Sequence, residues 1–266
     1  MELNDLSLRQ IANNSRITTL KILNENKSPH VGSCFSVIDI LVAAFDFKFS
    51  KAESGEVDVL LSKGHAAAAL YAVLFEFQKI SRDDIDSYCK NGSSFYGHVD
   101  NLASSHIPLA TGSLGHGLPY AIGIALSAKL RNQANRLSLV ILSDGELDEG
   151  TTWESLLIAS HLRLDNLIVI VDRNFLQSFE STEETLALEP LREKFESFGW
   201  IVRDVDGHDI ESVQVGIHRE DKPLCLIAKT TKGKGVSFME NSVPWHYKPP
   251  IGPEFVDALT ELEKPR

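Results

Sequence analysis

The sequence predicts an α/β fold, one doubly wound domain with a mainly parallel central sheet and helices on both faces. Three observations carry this. The apolar runs "LSLVIL" (137–142) and "LIVIV" (167–171) are continuous rather than alternating, as parallel strands covered on both faces require. Strand and helix patterns alternate to about residue 231. No linker, repeat or low-complexity segment divides the 266 residues, so residues 1–266 read as a single domain with an irregular tail from about 232.

The elements follow in order. Residues 7–25 place Leu8, Ile11, Ile17, Leu20 and Leu23 near a 3.6 period, which predicts a helix. After "KSPHVGS", the stretch "FSVIDILVAAFDF" from Phe35 predicts a second, more buried helix. "DVLLS" (58–62) is a short strand, and "KGH" turns it into the alanine-rich helix "AAAALYAVLFEF". His65 therefore stands at a strand-to-helix turn. Residues 91–117 lack periodicity and are rich in Gly, Ser and His, the composition of a functional loop, and they open a long helix through "LPYAIGIALSAKL". Between the two apolar runs lies a helix in which Trp153, Leu156, Leu157 and Leu162 have core spacing. A helical stretch at 188–198, a strand "GWIVRDV", a helix "DIESVQVGIH" and a strand "PLCLIAKTT" complete the alternation.

Composition excludes several functions. Twenty-six Lys and Arg against 37 Asp and Glu give a net charge of −11, which opposes nonspecific binding to nucleic acid and to anionic membranes. Cys34, Cys89 and Cys225 form no CxxC, so neither a disulfide framework nor a zinc site is indicated, and Cys34 on an apolar helix reads as a small buried hydrophobe. The start "MELNDLSLRQ" is unlike a signal peptide, and no uncharged apolar run reaches membrane-spanning length. A cytoplasmic protein is expected.

Ligands of open parallel sheets gather at the carboxyl ends of the strands. Asp144 and Asn174 fall at two such ends, one crossover apart. A carboxylate, an amide oxygen and a backbone carbonyl suit a hard divalent cation, and Gly145 lets a phosphate-bearing ligand approach the main chain. The same residues also make turns and helix caps, so the pattern alone leaves both readings open.

The surrounding sequence goes further. "SDGELDEG…VDRNF" resembles the thiamine diphosphate motif, and "LSKGHAAAALYAVLFE", "YGHVD", "TGSLGHGLPYAIGIALSAKL", "SFGWIVRDVDGHD" and "KTTKGKGV" resemble, in order, segments of the N-terminal region of transketolases. The resemblance implies that Asp144, Asn174 and the carbonyl of Leu176 hold Mg2+, with Ca2+ as a possible substitute. It implies that Gly145, Glu146 and His65 meet the diphosphate of thiamine diphosphate, that Gly112 and Leu114 meet its aminopyrimidine end, and that Asn174 and His246 also contact the cofactor, His246 facing the sugar as well. His30, His65, His98, His246 and Glu149 are implied as catalytic, histidine being the side chain that exchanges protons near neutral pH. Glu149 and Glu154 match glutamates near the cofactor where two subunits meet, although acids at a helix start also stabilise its first turn. "DGHD" (206–209) fits the resemblance without implying a chemical role and reads as a turn; "KTTKGKG" suits either phosphate contact or a solvated basic loop.

Transketolases continue into a pyrimidine-binding domain, which is not expected within these 266 residues. The resemblance therefore implies the N-terminal subunit of a split transketolase, active only with a C-terminal partner subunit in an α2β2 assembly. It would pass a two-carbon ketol unit from a ketose or ketose phosphate to an aldehyde. Ser143 in place of a glycine, "GHVDN" and His116 depart from the usual pattern and leave the sugar, its phosphorylation and the pathway open. Alternatives are another thiamine diphosphate enzyme subunit, like deoxyxylulose phosphate synthase or a 2-oxoacid dehydrogenase alpha chain, and a noncatalytic relic scaffold.

Overall fold

Ser7 starts the first described helix, α1 (Leu8–Glu25), with a reciprocal cap: the Gln10 backbone N–H donates to Ser7 Oγ at 3.3 Å, and the Ser7 N–H donates to Gln10 Oε1 at 2.7 Å. This computed structural model describes residues 7–50, 56–133 and 135–264, so the first six residues, part of the stretch read as unlike a leader, lie outside it. The next helix, α2 (Val31–Ser50), is buried continuously from Val31 to Phe45. It begins four residues earlier than its apolar pattern indicates. Gly32 and Ser33 are poor helix formers, but burial outweighs propensity over so short a stretch.

Five strands form one sheet: β1 (Val57–Leu61), β2 (Leu137–Ser143), β3 (Leu167–Arg173), β4 (Ile201–Asp206) and β5 (Leu224–Lys229). Their order is β1-β2-β3-β5-β4 and each pairing is parallel, as the continuous apolar runs predicted. Residues alternate between two cores. Val59, Leu139, Ile168 and Leu226 face α1, α2, α3 (Ala67–Glu76) and α9 (Ile210–Gly216); Leu60, Val140, Val169 and Cys225 face α5 (Gly117–Leu130), α6 (Gly150–His161) and α8 (Leu191–Ser197). Two four- to five-residue helices, α4 (Arg82–Asp86) and α7 (Thr182–Thr185), lie in connections.

Two expectations need correction. The stretch from 232 onward is not irregular throughout: α10 (Pro253–Leu262) follows Gly252 and buries Ala258 and Leu262 against α1, where Asn13 Nδ2 donates to Leu262 O at 2.9 Å. Its signals were present, with Pro253 at the first helical position and Phe255, Ala258, Leu259 and Leu262 at helical spacing. Leu157 is not core but 57% exposed, because the buried face of α6 is made by Thr152, Ser155, Leu156 and Ala159 and Leu157 lies off it. Among the described residues no helix is long and apolar enough to cross a membrane.

Candidate active site

All five strands run the same way, so their carboxyl ends share one rim, and the polar residues just past those ends converge there. Lys63 follows β1, Asp144 follows β2, Asn174 follows β3, Thr230 and Lys232 follow β5. A cavity of about 200 Å³ opens at this rim, lined among others by Ser33, Lys63, His65, Leu114, Asp144, Gly145, Asn174, Leu176, Lys232 and His246.

The floor is charged and buried. Lys63 has no solvent exposure and pairs with Asp172 at 2.5 Å, while Ser36 Oγ donates to the same carboxylate at 2.7 Å and Thr230 Oγ1 to its other oxygen. Burial pushes Asp172 up, but Lys63 and these hydroxyls overcome it and the net shift is downward. Asp144 is 1% exposed; its Oδ2 accepts from the Phe175 amide at 2.7 Å and from Arg173 Nη1 at 3.3 Å. Its carboxyl is pushed up by burial and by the nearby Asp172, only partly offset by Arg173. Phe175, whose N–H makes this bond, has φ +67°, in the left-handed region.

The donor set suits a hard cation. Asp144 and Asn174 side chains and Leu176 all line the cavity, and Asn174 Oδ1 accepts from the Leu176 N–H at 3.1 Å, which holds that amide beside Leu176. Among the described residues no group of three or more His, Cys, Asp or Glu is placed to hold a metal, so a mixed oxygen set is what the rim offers. A divalent ion there would also reverse the disfavoured charge of Asp144 beside Asp172.

The rim carries the histidines. His30 lies with its ring centroid 5.3 Å from His65, 6.0 Å from His98 and 5.2 Å from His246, and His65 lies 5.6 Å from His246. The four histidines predicted from separate motifs thus form one cluster. His30 has φ +76°, and its N–H donates to His246 O at 2.9 Å, so a strained backbone is tied to the other rim loop. Burial lowers His30 to about 4, His246 to about 3 and His65 well below its ordinary value, with Lys63 and Lys232 adding to each. These three imidazoles are neutral at pH 7.

Their carrier loops are registered by main chain. A Cβ at Gly64 would stand 2.2 Å from Thr111 O, so the turn bearing His65 touches the loop bearing His98 backbone to backbone. The Val99 N–H donates to Gly64 O at 3.2 Å, Thr111 N–H to Val99 O at 3.0 Å, and Tyr71 Oη to His98 O at 3.2 Å.

Other sequence-based candidates fall differently. Leu114 lines the cavity, whereas Gly112 is exposed and lies beside His98, its Cβ position 3.8 Å from that ring. Glu146 is fully buried behind the cavity: its Oε1 accepts from Ser62 Oγ and, at 2.8 Å, from the Gly115 N–H, so it ties the tip of β1 and the 115 loop to the tip of β2. Glu149 and Glu154 are exposed on the α6 side; Glu149 occupies the N-cap position, yet its side chain makes no capping hydrogen bond. Cys34 is buried and its thiol is pushed up to about 12 by burial, which fits a small hydrophobe.

Residue patterns missed Ser33, Lys63, Asp172 and Lys232. Lys232, in the loop left between phosphate contact and solvent, is 1% exposed, and its Nζ donates to Leu176 O at 3.2 Å, Gln177 O at 2.9 Å and His246 Nδ1 at 3.0 Å. Burial, then Lys63, lowers it to about 8. The available signal was position: Lys63 and Lys232 each follow a strand by two or three residues.

Comparison with known proteins identifies the family and the fold. Residues 7–261 match the family described as transketolase, thiamine diphosphate binding domain. The chain is 39% identical to an apulose-4-phosphate transketolase subunit of Actinobacillus succinogenes, covering 91% of each chain. It is 34% identical to the 6-deoxy-6-sulfo-D-fructose transketolase subunit SqwG of a Clostridium species, covering 97% of each. Among solved structures it is similar to transketolase from Campylobacter jejuni, with a TM-score of 0.85 and 26% identity over 96% of this chain. It spans only 42% of that longer polypeptide.

Proposed function

The chain belongs to the transketolase family of transferases, and from that premise we propose that it is the diphosphate-binding subunit of a two-chain transketolase using thiamine diphosphate and Mg2+. The observation that carries this is the cavity at the strand tips, where an oxygen donor set, two buried lysines and a histidine cluster meet. Asp144, Asn174 and the Leu176 carbonyl would hold the metal, Ca2+ being an acceptable substitute. Lys63, Lys232 and His65 would face the diphosphate, and Leu114 and Gly112 the aminopyrimidine end.

The bound cofactor would supply a carbon nucleophile and an electron sink for breaking the C2–C3 bond of a ketose, chemistry that no side chain offers. This chain's residues do the rest. His98 and the neutral His30 and His246 accept a proton from a sugar hydroxyl as its carbonyl forms, and return it when the two-carbon ketol unit joins an aldehyde. Lys63 and Lys232 concentrate positive charge at the floor, leaving the imidazoles uncharged for proton exchange.

A separate partner subunit, in an α2β2 assembly, is part of the proposal. Relatives named as subunits are matched over nearly their full length, whereas the Campylobacter jejuni transketolase is matched over two fifths. Exposed Glu149 and Glu154 would meet that partner near the cofactor. By name the relatives differ in their sugar, apulose 4-phosphate in one and 6-deoxy-6-sulfo-D-fructose in another, so the donor class proposed is a ketose. A cytoplasmic setting fits the free thiols of Cys34, Cys89 and Cys225.

Calorimetric titration with thiamine diphosphate tests the reading: binding should require Mg2+ and weaken at least about 100-fold in Asp144→Ala, the upper range for losing a metal-site group. Absence of binding heat, or an unaffected variant, would point to a relic scaffold. Ketol transfer should appear only when a partner subunit is added.

A further inference from the structure

The motif "DGHD", which the chemistry above does not use, sits at the tip of β4 and reaches back to the cofactor floor. The His208 N–H donates to Asp206 Oδ1 at 2.9 Å, which fixes the turn. His208 Nε2 accepts from the Thr231 amide at 2.8 Å. A backbone N–H can only donate, so Nε2 carries the lone pair and Nδ1 carries the hydrogen. That hydrogen points to Asp39 Oδ2 at 2.7 Å.

Asp39, on α2, is held from its other side by Arg16 of α1, Nη2 to Oδ2 at 2.5 Å and Nη1 to Oδ1 at 3.1 Å. Burial would push Asp39 up, but Arg16 and His208 hold it down at about 2. Arg16 then donates through Nε to Lys234 O at 3.1 Å. The relay therefore grips the main chain at Thr231 N and at Lys234 O, the two positions that bracket Lys232. Close approach is built in: a Cβ at Gly207 would stand 2.4 Å from Thr230 Cγ2.

Lys232 needs such a grip. Its ammonium meets two carbonyls and an imidazole rather than a carboxylate, so among the described residues no ion pair draws it into place, and whether the four-carbon stem reaches those acceptors depends on where its main chain is held. We propose that Arg16, Asp39 and His208 form a positioning relay that fixes the Thr231–Lys234 main chain and so aims Lys232 into the cofactor site. The relay deepens the functional reading above and rests on it for the identity of the ligand. His208 is a positioning residue, remote from the reacting atoms.

Two conservative variants separate its bonds. His208→Gln can place an amide oxygen where Nε2 stands and accept from Thr231; His208→Asn can keep a donor toward Asp39 but cannot reach Thr231. In the cofactor-free chain, amide hydrogen exchange at Thr231 should accelerate about 10-fold or more in His208→Asn and stay near wild type in His208→Gln. With thiamine diphosphate and Mg2+ as probe, His208→Asn should bind about 10- to 100-fold more weakly and His208→Gln within about 3-fold of wild type. In a Lys232→Met background the His208→Asn penalty on binding should disappear, because its effect passes through that ammonium.

Unchanged exchange at Thr231 in His208→Asn overturns the relay. So does a binding penalty that persists in full without Lys232, which would mark a merely structural ion-pair network. If wild-type chain binds no thiamine diphosphate, the functional reading fails, and the exchange measurement still decides whether the relay pins the loop.

Discussion

The floor and the rim of the cavity are built on opposite electrostatic principles. On the floor Lys63, Asp172, Asp144 and Arg173 are almost wholly buried, and each charge has a fixed partner. At the rim the histidine rings stand 5–6 Å apart, are not hydrogen-bonded to one another, and three of them are neutral at pH 7. A grip on an anion needs charges that do not move, because reorganising a buried ion costs several kcal/mol. Proton exchange needs groups that can change state, and burial has set His30, His65 and His246 on the basic-form side of that change.

The comparison breaks most visibly in catalysis. His30→Asn tolerates the left-handed backbone and removes the imidazole. The reconstituted enzyme should lose about 10²- to 10⁴-fold in kcat, the range for a positioned acid–base group, while cofactor affinity changes less than about 3-fold. Equal losses in both would merge rim with floor.

Next comes stability. Lys63→Met strands Asp172 in the interior and should cost about 3–5 kcal/mol, read from urea unfolding; adding Asp172→Asn should recover much of it, since an unpaired buried charge is the main penalty. An exposed rim substitution such as His98→Asn should stay within about 0.5 kcal/mol.

Acid sharpens the contrast further. An unfolded imidazole takes its proton near pH 6.5, but the folded chain holds His30 at about 4 and His246 at about 3. Between those values the unfolded state binds more protons, so this stabilisation is complete above about pH 6.5 and is lost as pH falls toward 4. The urea midpoint should drop across that window, and less so in His30→Asn. A flat midpoint would contradict neutral rim imidazoles.

The smallest effect on the chain itself belongs to the outer face. Leu157→Glu on α6 should change its stability by no more than about 0.5 kcal/mol. Size-exclusion chromatography with the partner subunit should nevertheless show weakened association, since Leu157 and Ile158 lie exposed beside Glu154.

How much of this could be read beforehand follows from what a pattern encodes. Continuous apolar runs revealed β2 and β3, and the carboxyl-end rule then located Asp144 and Asn174, because strand direction and strand tips are local properties. The Lys63–Asp172 pair joins residues 109 apart and Lys232 meets Leu176 across 56; such meetings depend on sheet order, which periodicity does not contain. Leu157 misled because helical spacing marks an apolar stripe without saying where the sheet ends beneath it. The helix at 253–262 was legible through Pro253 but sits after a long irregular stretch that hid its period.

The backbone contact between Gly64 and Thr111 separates two kinds of change in the loop above it. Because the His98 loop is hydrogen-bonded at Val99 and Thr111, the residues between Asp100 and Pro108 form a loop with both feet tied by main chain and with Leu102, near its tip, 74% open to solvent. Insertions or deletions between those feet change only the exposed tip, while the backbone bonds at Val99 and Thr111 keep the His98 loop in register with the turn that bears His65.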